Sequence, residues 1–367
     1  MYSMLSNLLA VADEYDEANV WTKRALEAGE KSGNFAAVAN ALTIMGCSLV
    51  DTGRIDEGLP LLERSLEVAL QHDLYREATN SLLNLTFYTC PRDLSKARDF
   101  ASRTLDLATR ENHLYGQTTG LAMLSILDWL GGNWARALEE TTKAFEAQER
   151  LGFKGVAFVA EAWRGRLHLG MGDMEQAEKY LQLALARQDP AIGSVVETNL
   201  GLGELRLEQG REEEARACFE KCVEAFKDAE FTTMPVLHIE TLMHLASIYA
   251  NHNDLEKARR MCEWAKRLAE TLKGDAGLAM ASQAEAAILL ASGDGKGTDE
   301  AYARSLGLWE KAGWPYYHAK ALVAYSEALA QKNPKESRKR LEHAAEIFTK
   351  LGAKRDIEKT QAKLSAR

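Results

Sequence analysis

Proline is scarce, with 6 in 367 residues, so little in the chain interrupts helices. Cysteine is also scarce. The five thiols, Cys47, Cys90, Cys218, Cys222 and Cys262, are odd in number and lie mostly within apolar helix faces. That suits a reducing compartment better than a disulfide framework, so the expected location is the cytoplasm. No stretch of 18 or more apolar residues occurs, so no spanning helix and no membrane partner are expected. The start, Met1–Val11, lacks the basic region and cleavage site of a signal peptide. Basic charge is in deficit: the formal net charge is −9, which argues against a general nucleic-acid binder. The deficit is uneven, because Gln331–Arg367 carries a net +6. A basic end on an acidic body can meet an acidic partner, its own neighbours or water.

Catalytic constellations are missing as well. The histidines form no H-E-x-x-H motif and no i, i+4 pair, and there is no G-x-S-x-G elbow. The glycine-rich Ser292–Thr298 fails the phosphate-loop pattern, because Gly295-Lys296 is followed by Gly297 and Leu290 stands where the first glycine belongs. It reads as a solvated turn or a hinge. Cys218 and Cys222 have a spacing that suits a shared metal, yet they lie on an apolar stripe where small residues are wanted. No enzyme, no cofactor and no metal are expected.

What is present is a period. Small residues recur at Ala18, Gly58, Ala97, Ala137, Ala177, Ala215, Ala258, Ala301 and Ser337, at spacings of 40, 39, 40, 40, 38, 43, 43 and 36. A fixed period in this range marks a repeat array, in which each unit contacts its neighbours. Each period reads as two helices. In one of them, helix A ends at Gly172, and Asp173 caps helix B with Gln176 three residues on. Asn333-Pro334-Lys335-Glu336 is a cleaner start of the same kind. Ala215, Cys218, Phe219, Cys222, Val223 and Phe226 follow the helical period along one apolar stripe, with Glu212, Glu213, Arg216, Glu220, Lys221 and Lys227 opposite.

A second small residue precedes the first by twelve in Gly46/Gly58, Gly165/Ala177, Gly203/Ala215 and Ala246/Ala258. A bulky residue follows at Leu62, Leu181, Phe219 and Leu341. On these positions the chain resembles the tetratricopeptide-repeat proteins. The ordinary repeat has about 34 residues; here the period is close to 40 and the usual closing proline is absent. Helix B often ends instead in a Gly or Asp turn before an apolar residue, as in Gly33-Asn34-Phe35, Asp73-Leu74-Tyr75 and Gly313-Trp314. This longer form resembles the helical regions of maltose-type transcription activators, signalling ATPases and nucleotide cyclases, especially at Phe348–Asp356.

The resemblance implies an all-α, right-handed α-solenoid of about nine antiparallel helix pairs. The units are expected at about 1–33, 34–73, 74–112, 113–152, 153–189, 190–230, 231–274, 275–313 and 314–352, with a basic capping helix over 353–367. The first helix, Met1–Val11, is short and starts without an obvious polar cap. The expectation is that this edge meets an upstream domain or a second copy.

The resemblance also places helix A of each pair on a concave face. The residues expected to meet a partner there are Asn40, Thr43, Thr79, Thr86, Trp129, Arg166, Glu197, Glu204 and Glu240. Asn40 and Arg166 are the expected donors to a peptide backbone or carboxylate. The aromatic cluster Trp309, Trp314, Tyr316, Tyr317 and Tyr325 either anchors a partner or fills a joint between helices. The function that follows is a protein–protein interaction scaffold or sensor arm within a larger signal-transduction or transcription regulator, holding a protein or peptide. The alternative is a peptide-pheromone receptor of the long-repeat bacterial kind.

Overall fold

The computed structural model describes residues 15–151, 157–188, 192–227 and 235–366. The expected first helix, Met1–Val11, lies outside the described residues. The fold is all-α. Eighteen helices are present among the described residues: α1 Tyr15–Ser32, α2 Phe35–Asp51, α3 Ile55–Gln71, α4 Tyr75–Thr89, α5 Leu94–Arg110, α6 Leu114–Leu130, α7 Trp134–Leu151, α8 Ala157–Met171, α9 Met174–Ala186, α10 Ile192–Glu208, α11 Glu212–Phe226, α12 Pro235–Asn251, α13 Leu255–Leu272, α14 Asp275–Ala291, α15 Gly295–Ala312, α16 Pro315–Leu329, α17 Pro334–Leu351 and α18 Lys354–Ser365.

Helix starts follow the capping chemistry of the sequence. Asp173 accepts from the Gln176 backbone N–H at 3.2 Å, and Asn333 accepts from that of Glu336 at 3.2 Å. Pro334 stands in the first turn of α17, where a missing N–H costs nothing. In the Ser292–Thr298 segment, Ser292–Asp294 forms a tight turn and Gly295–Thr298 is the first turn of α15. Asp294 caps α15 by accepting from Gly297 N at 2.9 Å. Gly313, at φ 69°, ends α15 in the left-handed conformation that β-carbon-bearing residues resist.

The chain divides into two compact units. The first holds α1–α5, α6 up to Leu124 and α7 from Lys143. Here the small residues of one hairpin meet backbone to backbone: a β-carbon on Gly58 would stand 2.5 Å from the Gly46 carbonyl oxygen. A buried hydroxyl chain seams α2, α3 and α4, with Thr43 Oγ1 2.8 Å from Ser65 Oγ and Ser65 Oγ 2.9 Å from Ser81 Oγ.

The second unit holds the end of α6, the start of α7, and α8–α18. Its hairpins cross by a knob-and-notch arrangement. Gly165 receives Leu181 and Gly203 receives Phe219; a β-carbon on either glycine would lie 2.6 or 2.4 Å from those side chains. The twelve-residue offset therefore opens a notch for the bulky residue one turn beyond the second small position. Ala177, Ala215 and Ala258 are wholly buried beneath these crossings.

Within this unit the late helices turn back onto the early ones. Leu351 and Pro315 lie against Gly132, and Arg355 lies against Gly172. The aromatic cluster fills joints: Trp309, Trp314, Tyr317 and Tyr325 are all buried. No described helix is long and apolar enough to cross a membrane.

Candidate functional site

Two concavities are lined by the first helices of successive pairs, one in each unit. In the first unit a groove of about 850 Å3 runs past the N-terminal turns of α2, α4 and α6. Asn40, Arg76, Asn80 and Thr79 line it, with His113 and Tyr115 at its edge. Asn40 is half-buried, and its amide makes no hydrogen bond with any described residue. Asn80 Oδ1 accepts only a long contact of 3.4 Å from Asn84. Three aromatics stand exposed at the starts of these helices: Phe35, Tyr75 and Tyr115, spaced by 40 residues. Phe35 stacks on His72 at 3.5 Å between centroids, and the Tyr75 hydroxyl donates to Asp73 at 3.1 Å.

In the second unit the protein's own side chains narrow the concavity to a cleft of about 150 Å3. Arg166 of α8 is 2 % exposed. It forks onto Glu204 of α10, with Nε–Oε2 2.7 Å and Nη2–Oε1 3.0 Å. Nη2 also lies 2.7 Å from Glu240 Oε1 on α12 and 3.0 Å from the Tyr317 hydroxyl on α16. Tyr317 donates in turn to Glu240 at 2.8 Å. The guanidinium sits over the rings of Trp163 and Trp129, at 4.8 and 5.2 Å.

The electrostatics follow from burial against pairing. Burial opposes the charge on Arg166, but Glu204 and Glu240 outweigh it and hold the guanidinium ionised. Burial pushes the Glu240 carboxyl up to about 7 against the pull of Arg166. Glu197 is pushed up to about 8 by burial, with Trp163 and Arg166 opposing. Burial lowers His244 to about 4, and the ring stacks on Phe219 at 4.8 Å. Below this cluster Glu208 binds Lys320 at 3.0 Å, Lys359, and through its carbonyl Arg355. Burial works against its charge, yet Lys320 and Lys359 hold the carboxyl at about 2. The basic C-terminal helix thus spends charge on its own unit.

Glu204, Glu240 and His244 present donor atoms within 4.8 Å of one another, as a metal site would. Arg166 lies between the two carboxylates and supplies the positive charge that an ion would bring. The thiols are packing groups: Cys222 Sγ lies 3.6 Å from the Val196 carbonyl, and burial raises it far above the ordinary thiol range.

The expected partner-facing residues therefore separate into classes. Asn40 and Thr79 line the open groove, although Thr79 is itself buried and donates to the Tyr75 carbonyl. Thr43 belongs to the hydroxyl seam, and Thr86 is buried with its hydroxyl on the Leu82 carbonyl. Trp129, Glu197 and Glu240 are buried. Arg166 and Glu204 were expected to meet a partner and instead bind each other. The physical reason is that α16 brings Tyr317 into the space that a partner of Arg166 would need. Arg76, Asn80 and Tyr115 were missed by the sequence reading. The 40-residue spacing of Phe35, Tyr75 and Tyr115 was the signal that could have found this edge.

Residues 158–228 match the family model described as tetratricopeptide repeat. The matched stretch, helices α8 to α11, is of tetratricopeptide-repeat type. Among solved structures, a Rap protein complexed with competence and sporulation factor is similar, at TM-score 0.66 and 14% identity, over 100% of this chain and 98% of that one. The apo form of RapI is similar at TM-score 0.52 and 16% identity, covering 62% of this chain and 82% of that one. A signal transduction ATPase with numerous domains and a tetratricopeptide repeat sensor, from Pyrococcus horikoshii, aligns at TM-score 0.42 and 14% identity, over 96% of this chain and 53% of that one. At these identities the likeness concerns the fold: an all-α solenoid of helix pairs. No curated protein matches by sequence.

Proposed function

We propose that the protein is an interaction scaffold or sensor arm that holds an extended peptide or protein segment in the groove of its first unit. The observation that carries this reading is the groove itself. It combines about 850 Å3 of space, two side-chain amides at Asn40 and Asn80, a cation at Arg76, and exposed rings at its edge. An amide side chain both donates and accepts, so it can pair with a peptide group regardless of sequence. The rings supply the apolar anchors that interfaces favour. The tetratricopeptide repeats support a scaffold that performs no catalysis. A place within a larger signalling or transcription regulator fits such an arm.

A second reading is a peptide receptor of the long-repeat kind. It is favoured by the full-length likeness to the Rap protein complexed with competence and sporulation factor. The two readings share the groove and differ in the ligand, a folded partner's segment or a free short peptide.

The test is a selection of displayed random peptides against the wild-type protein and against N40A/N80A. Enriched peptides should bind the wild type as isolated synthetic molecules and lose about tenfold or more in affinity on the double variant, as two missing hydrogen bonds imply. No enrichment, or binders indifferent to both asparagines, would remove the proposal.

A further inference from the structure

The second unit leaves three arginines unmatched, and all three stand on one face of α13. Every other described arginine of this unit has a carboxylate at 3.5 Å or closer or, for Arg164, a ring at 4.4 Å. Arg259, Arg260 and Arg267 are exposed and make no ion pair with any described residue. Asp254 feels the charge of Arg260 but is held by Lys257 at 3.0 Å. The net charge of the chain is −9, so a lack of carboxylates does not explain the cluster. The arginines flank Trp264, which is half-buried and meets the Phe226 ring edge-on at 5.3 Å. With Met261, Glu256 and Glu263 they line an open concavity of about 840 Å3.

Helix geometry sets the spacing of these groups. Arg259, Arg260, Trp264 and Arg267 fall on one stripe of α13. At about 1.5 Å of rise per residue, Trp264 lies about 7.5 Å and Arg267 about 12 Å beyond Arg259 along the axis. An extended peptide turns every second side chain to the same side, so its residues i+2 and i+4 lie about 6.6 Å and about 13 Å beyond residue i. Carboxylates at i and i+4 therefore meet the arginines at both ends, and the side chain at i+2 meets Trp264. A guanidinium pairs with a carboxylate through two parallel hydrogen bonds, and an indole packs well against another ring. Glu263 lies next to Trp264 on the same concavity and repels a carboxylate at i+2. We propose that this face of α13 docks an extended segment of a partner protein, patterned as an acidic residue, a spacer, an apolar residue, a spacer and a second acidic residue. The face belongs to the second unit and is independent of the groove of the first.

The experiment is ligand-observed NMR and calorimetry on the full chain with capped pentapeptides. The probes are Asp-Ser-Phe-Ser-Asp, its isomer Asp-Asp-Ser-Ser-Phe and penta-aspartate, each at about 20 mM and about 500 mM salt. The patterned peptide should bind saturably at low salt, tighter than either other peptide by about threefold or more, and weaken at high salt. R259E/R267E changes exposed side chains only and should lose about tenfold or more in affinity. N40A/N80A should bind the patterned peptide as the wild type does; a loss there would place the peptide in the first unit's groove and overturn the proposal. Absence of saturable binding would overturn it, as would penta-aspartate or the isomer binding as tightly. So would a folded R259E/R267E that binds undiminished. Self-association of the wild type that R259E/R267E abolishes would assign the face to a second copy and equally overturn it. The comparison of peptides on the wild type stands even if R259E/R267E fails to fold.

Discussion

Arg166 and Glu240 lie 74 residues apart in sequence, yet Nη2 and Oε1 are 2.7 Å apart and both side chains are 2 % exposed. Glu204 and Tyr317 add further hydrogen bonds to this buried ion pair and offset part of its desolvation.

Removing the cation should therefore cost far more than a surface pair would. Arg166→Met is expected to lower unfolding stability by about 3–5 kcal/mol, the penalty of stranding buried carboxylates. Glu240 escapes part of that penalty by taking a proton, so the loss should be larger at pH 8 than at pH 6. R166M/E240M should lose less than the sum of the two single variants. Urea denaturation of the four proteins at both pH values measures this coupling.

Glycine at a crossing and glycine on a surface should respond in opposite directions. Gly58→Ala gains about 1 kcal/mol of helix propensity, but its β-carbon would stand 2.5 Å from a backbone oxygen that cannot swing away. A net destabilisation of about 1–3 kcal/mol is expected. Gly307 lies exposed inside α15, where an added β-carbon meets nothing within 4 Å. Gly307→Ala should stabilise by about 0.5–1 kcal/mol. Thermal melts of both variants check the sign.

Stability should fall as the solution turns mildly alkaline. Burial raises Glu197 to about 8 and Glu140, Glu161 and Glu240 to about 7 in the folded protein. A carboxyl raised on folding stabilises below its unfolded pKa, near 4.3, and that contribution is lost as pH rises through the folded value. Burial lowers His238 to about 3, which acts in the opposite sense between there and about 6.5. Above pH 6.5 the carboxyls act, joined near pH 8.5 by the buried thiols, which burial raises and which work in the same sense, so the melting temperature should decline from pH 6.5 to 8.5. Glu197→Gln should flatten that decline.

What the sequence revealed was local. Asp173 and Asn333 announce their caps because capping needs only the next three residues. The pairing of Gly165 with Leu181 and of Gly203 with Phe219 lay in a repeat of fixed offset. The role of Arg166 was not legible, because Tyr317 is 151 residues away and no periodic signal says that α16 returns to α8. Residues on equivalent faces thus met different fates. Asn40 faces an open groove, while Glu240 and Arg166 neutralise each other. The repeat fixes which face a side chain takes, and long-range packing decides whether that face is free.

On the proposed reading, the first unit holds a peptide in extended form along α2, α4 and α6. Hydrogen–deuterium exchange of the full chain, with and without a selected peptide at saturation, tests it most directly. Protection confined to the N-terminal turns around Asn40, Asn80 and Tyr115, with the helix bearing Arg166 unchanged, is the expected result. Protection of α8 and α12 instead, or none in α2 and α4, would contradict it.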